Sequence, residues 1–448
     1  MKKMIFFIMV ACWCISIDAQ MKVGVAKVNI TPDTAIWMSG YASRDKPSEG
    51  VLQDIWAKAL VIEENSKSMI IIVTADVIGL SHSISQEIIQ RIISKYGIDR
   101  SQILINTSHS HSGPVIWPSL SAMYNLDHGQ LKILIDYSKK LEDNIAEAVD
   151  RAMNDLEPGI ISSGHGSAEF AINRRQTTDK GVIIGVNSGG PVDNDVPVVK
   201  FAAPDGRLKA VLFGYACHNT TLSDYLINGD YAGFAENDLE KANPGAVALF
   251  MIGCGSDQNP NPRRTVELAE QHGKALADAV QKVLSGDLKP VNPPIRTAYS
   301  TTWLEFPKFN PEKYRKELVE GDRFMQARAK LMLEAWDKNY DISKLLYPVQ
   351  AVRFNKDFTI LALSGEVVVD YSLTAKRMYP GENLFVAGYC TEVPCYIPSR
   401  RVLLEGGYEP ETSMIYYGLP GPFADNVEEK VFDAVKLVMK KTGAKLKE

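Results

Sequence analysis

The sequence predicts an α/β protein, a mixed β-sheet core flanked by helices, and three observations carry that expectation. Apolar, β-branched runs such as Met69–Ala75 and Val247–Ile252 have the length of buried strands. They alternate with segments whose apolar residues recur at helical spacing. Polar residues able to bind a metal stand just past the ends of several runs, where open α/β sheets gather their sites.

In chain order, Met69–Ala75 ends before Asp76, and Ile84, Ile88, Ile89, Ile92 and Ile93 share a helical face until Gly97 stops it. Ile103, Leu104 and Ile105 form a short buried strand, and Leu131–Ala152 an amphipathic helix closed by Pro158-Gly159. Ala210–Ala216 and Val247–Ile252 read as strands and Thr265–Leu284 as a helix. A Pro-containing connection, Lys289–Pro294, leads to a charged helical segment, Pro311–Asp337, taken as an insertion over about residues 305–340. Strands return at Phe358–Leu363 and Asn383–Ala387, and Asn426–Lys441 is a closing helix. No internal repeat or low-complexity tract stands out, so residues 20–448 are expected to form one globular unit.

The chain has 448 residues and a net charge of -5, with no Lys/Arg cluster interleaved with aromatics, which argues against nucleic acid. Lys2-Lys3 precede an apolar stretch from Ile5 to Cys14, and Ala19 stands before Gln20. Residues 1–19 therefore read as a signal peptide, too short for a membrane anchor, and the mature chain is expected in the periplasm or outside the cell. A second reading takes Met9-Val10-Ala11-Cys12 as a lipoprotein box that tethers the chain through Cys12. Past the leader only Cys217, Cys254, Cys390 and Cys395 remain, too few for a disulfide scaffold. Whether Cys390 and Cys395 pair is not decided by their spacing.

Asn106-Thr107-Ser108-His109-Ser110-His111-Ser112-Gly113-Pro114 holds two of the chain's seven histidines. Imidazoles two residues apart past a strand end can face the same side, and imidazole is a common zinc ligand. The competing reading is a pair of loop histidines bonded to backbone or water. His218 follows Ala210–Cys217, Glu366 follows Thr359–Leu363, and Gly388–Tyr396 follows Leu384–Ala387. Singly, His218 could be a core histidine and Glu366 a helix cap; their joint placement favours a metal site. His82, His128, His165 and His272 have no ligand-like context.

These segments resemble the catalytic domain of the neutral ceramidase family, zinc-dependent amidases that cleave the N-acyl bond of ceramide. Ser108–Pro114 matches a Thr-His-Thr-His-Ser-Gly-Pro motif, and Ala216-Cys217-His218-Asn219-Thr220 an Ala-x-His-Pro-Thr segment with Asn in place of Pro. Gly229-Asp230-Tyr231-Ala232-Gly233, Ser364-Gly365-Glu366, and the tyrosines Tyr396 and Tyr408 follow in the family's order. The resemblance implies zinc held by His109, His218, Glu366 and Tyr396, with His111 beside the ion and Tyr408 near the scissile carbonyl. Asn173-Arg174 resembles a family Asn-Arg pair, which makes Arg174 a substrate contact. A shell of two imidazoles, a carboxylate and a phenol suits Zn²⁺.

The sequence departs from the family in two places. Where the family carries a serine, Gly253–Asn261 places Gln258 or Asn259, neither a nucleophile; Ser256 reaches that position only if the register slips by two. Attack by metal-bound water is therefore expected, with Gln258 or Asn259 donating to the oxyanion and Asp257 a candidate general base, or else a turn cap. A helix closing the chain at Glu448 also leaves no room for the β-rich C-terminal domain of full-length ceramidases.

The expected activity is hydrolysis of an N-acyl amide, ceramide or a related lipid, with peripheral membrane contact compatible with such a substrate. The second expectation is a deacylase or esterase acting on a small N-acyl or O-acyl sugar or other polar compound. The third is a non-catalytic protein stabilised by zinc. Gly-x-Ser-x-Gly, His-Glu-x-x-His and Gly-x-Gly-x-x-Gly motifs do not occur, which disfavours serine esterases, thermolysin-like proteases and dinucleotide enzymes.

Overall fold

The computed structural model describes residues 21–447, so the expected leader and Cys12 lie outside the described residues. The first sheet comprises β1 (Lys22–Asn29), β2 (Trp56–Asn65), β3 (Ser68–Ala75) and β4 (Ile103–Thr107). Their spatial order is β4-β3-β2-β1, with Glu157–Pro158 at the far edge. The β1/β2 and β2/β3 pairs are antiparallel, whereas β4 joins β3 in parallel through α1 (His82–Tyr96). The expected stop holds: Gly97 takes φ 64° and its N–H closes on Ile93. A long helix, α2 (His128–Asn154), follows, started by a capping box between Asp127 and Gln130.

The same plan then recurs. β5 (Ile160–Ser167) is followed by a hairpin of β6 (Ala171–Thr178) and β7 (Gly181–Asn187), which pairs with the short strand Gln258–Pro260 in a separate sheet. β8 (Asp195–Ala202) and β9 (Leu208–Tyr215) continue antiparallel from β5, and α3 (Asp230–Ala242) leads to the parallel strand β10 (Val247–Ile252). α4 (Val266–Leu284) follows, capped by Thr265. A third sheet has the antiparallel strands β11 (Ile295–Glu305), β12 (Lys344–Phe354) and β13 (Phe358–Leu363). The crossover helix α7 (Val369–Met378) connects β13 to the parallel strand β14 (Leu384–Ala387), and the long helix α8 (Val427–Thr442) closes the chain. The chain thus contains three copies of one topology, three antiparallel strands, a crossover helix, a parallel strand and a long helix. No residue pattern announced it, because the copies share burial and not side-chain identity.

The expected helical insertion lies between β11 and β12, as two helices rather than one: α5 (Pro311–Glu320) and α6 (Arg323–Asp337). Gly321 ends the first, and Asp322 caps the second through the amides of Phe324 and Met325.

Side-chain alternation assembles the core. Ile70 and Ile72 of β3, Leu212 of β9 and Ile360 of β13 point into one central cluster to which all three sheets contribute. The alternate residues, Ile71 and Val73, Val211 and Phe213, and Leu361 and Leu363, pack outward under the helices. Each strand is therefore buried on both faces, which is why these runs are continuously apolar. Cys217, Cys254, Cys390 and Cys395 are separate buried thiols. No helix among the described residues is long and apolar enough to cross a membrane.

The carboxyl ends of β4, β10 and β14 meet at Asn106. Its Nδ2 donates to Gly388 O at 2.7 Å and its Oδ1 accepts from Ile252 N at 3.1 Å, so one buried amide ties three sheets together. Replacing Asn106 with alanine orphans the Ile252 amide and leaves Gly388 O only the weak Cys390 Sγ donor at 3.2 Å. Chemical denaturation of Asn106→Ala is expected to show a loss of about 2–3 kcal/mol.

Candidate metal centre and cleft

The three-sheet junction brings the candidate ligands together. His109 leaves β4 with φ 58°, a left-handed conformation costly for a residue with a Cβ, and its N–H is held by Val77 O at 3.1 Å. Its Nδ1 lies 2.5 Å from Ile78 O, which assigns the proton to Nδ1 and leaves Nε2 as the free lone pair. His218 is held the same way, Nδ1 on Gly255 O at 2.9 Å and N–H on Gln258 O at 3.0 Å. Asn219, at the family's proline position, donates through Nδ2 to Ser108 O and accepts from His111 N through its carbonyl. A proline there could not make the first of these bonds. Asp230 completes the loop, its carboxylate accepting from the amides of Thr221, Leu222 and Tyr231.

Glu366 and Tyr396 are directly paired residues of two short parallel strands, Glu366–Val367 and Tyr396–Ile397. Gly365 turns the chain into Glu366 with φ 78°, and a Cβ there would lie 2.8 Å from Cys395 O. A side chain at Gly365 is therefore excluded by conformation and by space.

Five donors converge. His109 Nε2 lies 3.1 Å and His218 Nε2 3.2 Å from Glu366 Oε2. Tyr396 Oη is 3.3 Å from His218 Nε2, and His111 Nε2 is 3.2 Å from His109 Nε2. Ligand bonds of about 2.0 Å in a tetrahedron place donors about 3.3 Å apart, so these separations are those of one ion's shell. Glu366 Oε2 is buried with no hydrogen-bond donor among the described residues, an orphan that a cation would satisfy. His109, His111 and His218 alone form a buried triad able to hold a metal.

The electrostatics fit. Burial, with Arg174 next, pulls the His218 imidazole down to about 4, and burial with the neighbouring imidazoles holds His111 well below its ordinary value. Burial alone would raise Glu366, but His109 and His218 reverse it and hold the carboxyl well below its ordinary range. Neutral imidazoles beside a carboxylate are the ligand-competent forms at neutral pH.

A cleft of about 250 Å³ opens on the cluster, lined by His111, Arg174, Asn259, Tyr396 and Tyr408 among others. Arg174 donates to Tyr396 Oη at 3.1 Å and to Glu409 Oε1 at 2.9 Å, with its guanidinium near the Tyr408 ring. Asn259 reaches Arg174 and Thr220 through Oδ1 at 3.4 and 3.3 Å.

Two expected site residues are corrected. Burial pushes the Asp257 carboxyl up to about 6, a range suited to proton transfer, but both oxygens are engaged. Oδ1 accepts from Val369 N at 2.8 Å at the start of α7, and Oδ2 from Asn173 Nδ2 at 3.1 Å, so Asp257 is a buried helix anchor. Gln258 accepts from Asp193 N through Oε1 and donates through Nε2 to Ala216 O, which leaves no amide for an oxyanion. Strand alternation explains the swap: neighbours point to opposite faces, and of the two only Asn259 lines the cleft. Ser256 is buried outside the cleft lining. Gln258→Ala is accordingly expected to lower stability by about 1–3 kcal/mol, with little change in the turnover of the folded fraction.

Sequence reasoning missed Glu409, which binds both Arg174 and Arg175, and Tyr417, whose hydroxyl donates to Glu366 Oε1. It also missed Tyr389, whose ring lies 4.4 Å from that of His109. The adjacent arginines in β6 were the one available signal, since buried guanidiniums require carboxylates.

The family model for the N-terminal part of neutral/alkaline non-lysosomal ceramidases matches residues 21–290, and the chain belongs to that family. A neutral ceramidase of Pseudomonas aeruginosa is 27% identical over 261 residues, 54% of this chain and 38% of that protein. One from Mycobacterium tuberculosis is 24% identical over 267 residues, 54% of this chain and 40% of that protein. The matched region thus spans about two fifths of these relatives' length. The crystal structure of the Pseudomonas aeruginosa neutral ceramidase superposes with a TM-score of 0.73 at 18% identity, covering 96% of this chain and 77% of that one. That likeness establishes the shared mixed α/β fold.

Proposed function

We propose that this chain is a zinc-dependent hydrolase that cleaves an N-acyl amide, as its ceramidase relatives' names suggest. The observation that carries the reading is the convergence of His109, His111, His218, Glu366 and Tyr396 beside a cleft holding Arg174 and Tyr408. His109, His218, Glu366 and Tyr396 would hold the ion, with His111 at the cleft side. Zinc bound there lowers the pKa of water to about 7 and polarises a carbonyl.

The chain's own groups supply the rest. Water adds across the C–N bond, so the acyl carbon gains a hydroxyl and the nitrogen leaves with a proton. His111, which lines the cleft beside the cluster, is the candidate to carry that proton. Tyr408 and Arg174 face the region where negative charge develops on the carbonyl oxygen. Tyr408→Phe is expected to lower kcat by about 10²-fold with zinc content unchanged, measured by steady-state kinetics beside metal analysis.

A specific feature favours a small polar substrate over a ceramide. The cleft is lined by the rings of Tyr41, Tyr396, Tyr408 and Tyr416 with Ala42, Met123 and Ile184, but its volume falls below the usual range of about 300–1,000 Å³ for small-molecule sites and leaves no room for long acyl chains. Assays of the purified chain against ceramide, short N-acyl polar compounds and matched esters, with and without chelator, test the reading. Acid release that chelator abolishes and zinc restores is expected, and the absence of hydrolysis across the panel would leave the zinc-stabilised binding protein.

A further inference from the structure

The wall of the cleft is cationic. Arg174, Arg263 and Arg264 line it and no Asp or Glu does, although the chain carries 54 acidic against 49 basic residues. Arg174 is already neutralised from beneath by Glu409. Arg263 and Arg264 form no ion pair with a carboxylate among the described residues. Burial and then the neighbouring Arg264 disfavour the charge on Arg263, with smaller effects of Tyr41 and Arg174 following, and the partner of Arg264 is the Tyr41 hydroxyl at 3.3 Å. Two adjacent cations without an acid repel each other, and that repulsion is relieved when an anion lies between them.

The backbone of the doublet is held, although the Arg264 side chain is exposed. Arg264 is held at φ 103°, a conformation that disfavours any residue with a Cβ, and its N–H is bonded to Thr221 O at 2.7 Å. Thr221 lies in the loop that follows His218, so the arginine backbone and a metal-site loop are tied together. Thr265, the next residue, caps α4, so the doublet leads directly into a helix start. Arg guanidinium forks are suited to bidentate binding of carboxylates.

We propose that the substrate carries a carboxylate close to its scissile acyl bond, and that Arg263 and Arg264 bind this anion while the acyl carbonyl lies at His111 and Tyr408. N-acyl amino acids have this chemistry: one anion, one amide and a small volume. A ceramide carries no anion and leaves the doublet unused. The assignment rests on the hydrolase reading for the position of the scissile bond, but the anion subsite itself does not.

Two ketone analogues with CH₂ in place of the scissile NH, one ending in a carboxylate and one in a primary alcohol, probe the subsite without turnover. Calorimetry on the zinc-loaded protein is expected to show the carboxylate binding at least about tenfold tighter, a preference that shrinks with added salt. Arg263→Gln/Arg264→Gln should bring the two ligands to within about threefold, whereas Arg263→Lys should keep part of the preference. Circular dichroism checks that each variant folds. Equal affinities in the wild type, no carboxylate binding, or an unchanged preference in the double variant would overturn the proposal. A carboxylate preference without hydrolysis of any N-acyl amino acid would leave the subsite standing and remove the hydrolase reading.

Discussion

His218→Ala is expected to reduce bound zinc from one ion per chain to near none and to lower acyl-amide hydrolysis by at least about 10³-fold. The side chain lies at the centre of the donor set, 3.2 Å from Glu366 and 3.3 Å from Tyr396, so no neighbour can replace its nitrogen. Its removal also frees Gly255 O and leaves a cavity between Tyr396 and the His218 loop. A fall in stability therefore accompanies the loss of metal, and thermal melts with and without added zinc separate the two effects. In the wild type, zinc should raise the melting temperature, because an ion that binds only the folded state stabilises it. In His218→Ala that increment should vanish. Full zinc occupancy in the variant would contradict the ligand assignment.

Glu409→Ala is expected to destabilise the protein by about 3–5 kcal/mol. This carboxylate is buried and holds two guanidiniums, Arg174 through Nε and Arg175 through Nη1. Removing it leaves buried Arg174 without a carboxylate and Arg175 with only the half-exposed Glu405, which costs more than removing either arginine. Arg174 is also the guanidinium that donates to Tyr396, so the loss is transmitted to the centre. Urea denaturation measures the first effect, and the KM against kcat of whatever folds measures the second. A stability within about 1 kcal/mol of wild type would show that Glu409 is not the counter-charge described above.

Much of this was legible before the fold was known, for identifiable reasons. Runs buried on both faces, such as Val247–Ile252 and Phe358–Leu363, show in sequence as unbroken apolar segments, and both strands have those bounds. β1, β6 and β11 were not legible. They carry polar residues at core-adjacent or edge positions, such as Lys27, Arg175 and Thr301, and so lack that pattern. The candidate ligands His109, His218 and Glu366 could be read because each sits two or three residues past a strand end, whereas Tyr396, nine residues past Ala387, came only from the family resemblance. Asp257 and Gln258 could not be placed, because adjacent residues in a tight loop and short strand point to opposite faces and only the register decides which one meets the cleft. Glu409 was invisible for a different reason: a buried counter-ion has no spacing rule, only a partner far away in sequence.

The proposed zinc site lies where the strand ends of three sheets meet. Crystals of the purified, zinc-loaded protein, with data collected on both sides of the zinc absorption edge, test it most directly. One strong anomalous peak is expected within bonding distance of His109 Nε2, His218 Nε2 and Glu366, with Tyr396 and His111 at its margin. A peak located elsewhere, or none at this junction in fully loaded protein, would contradict it.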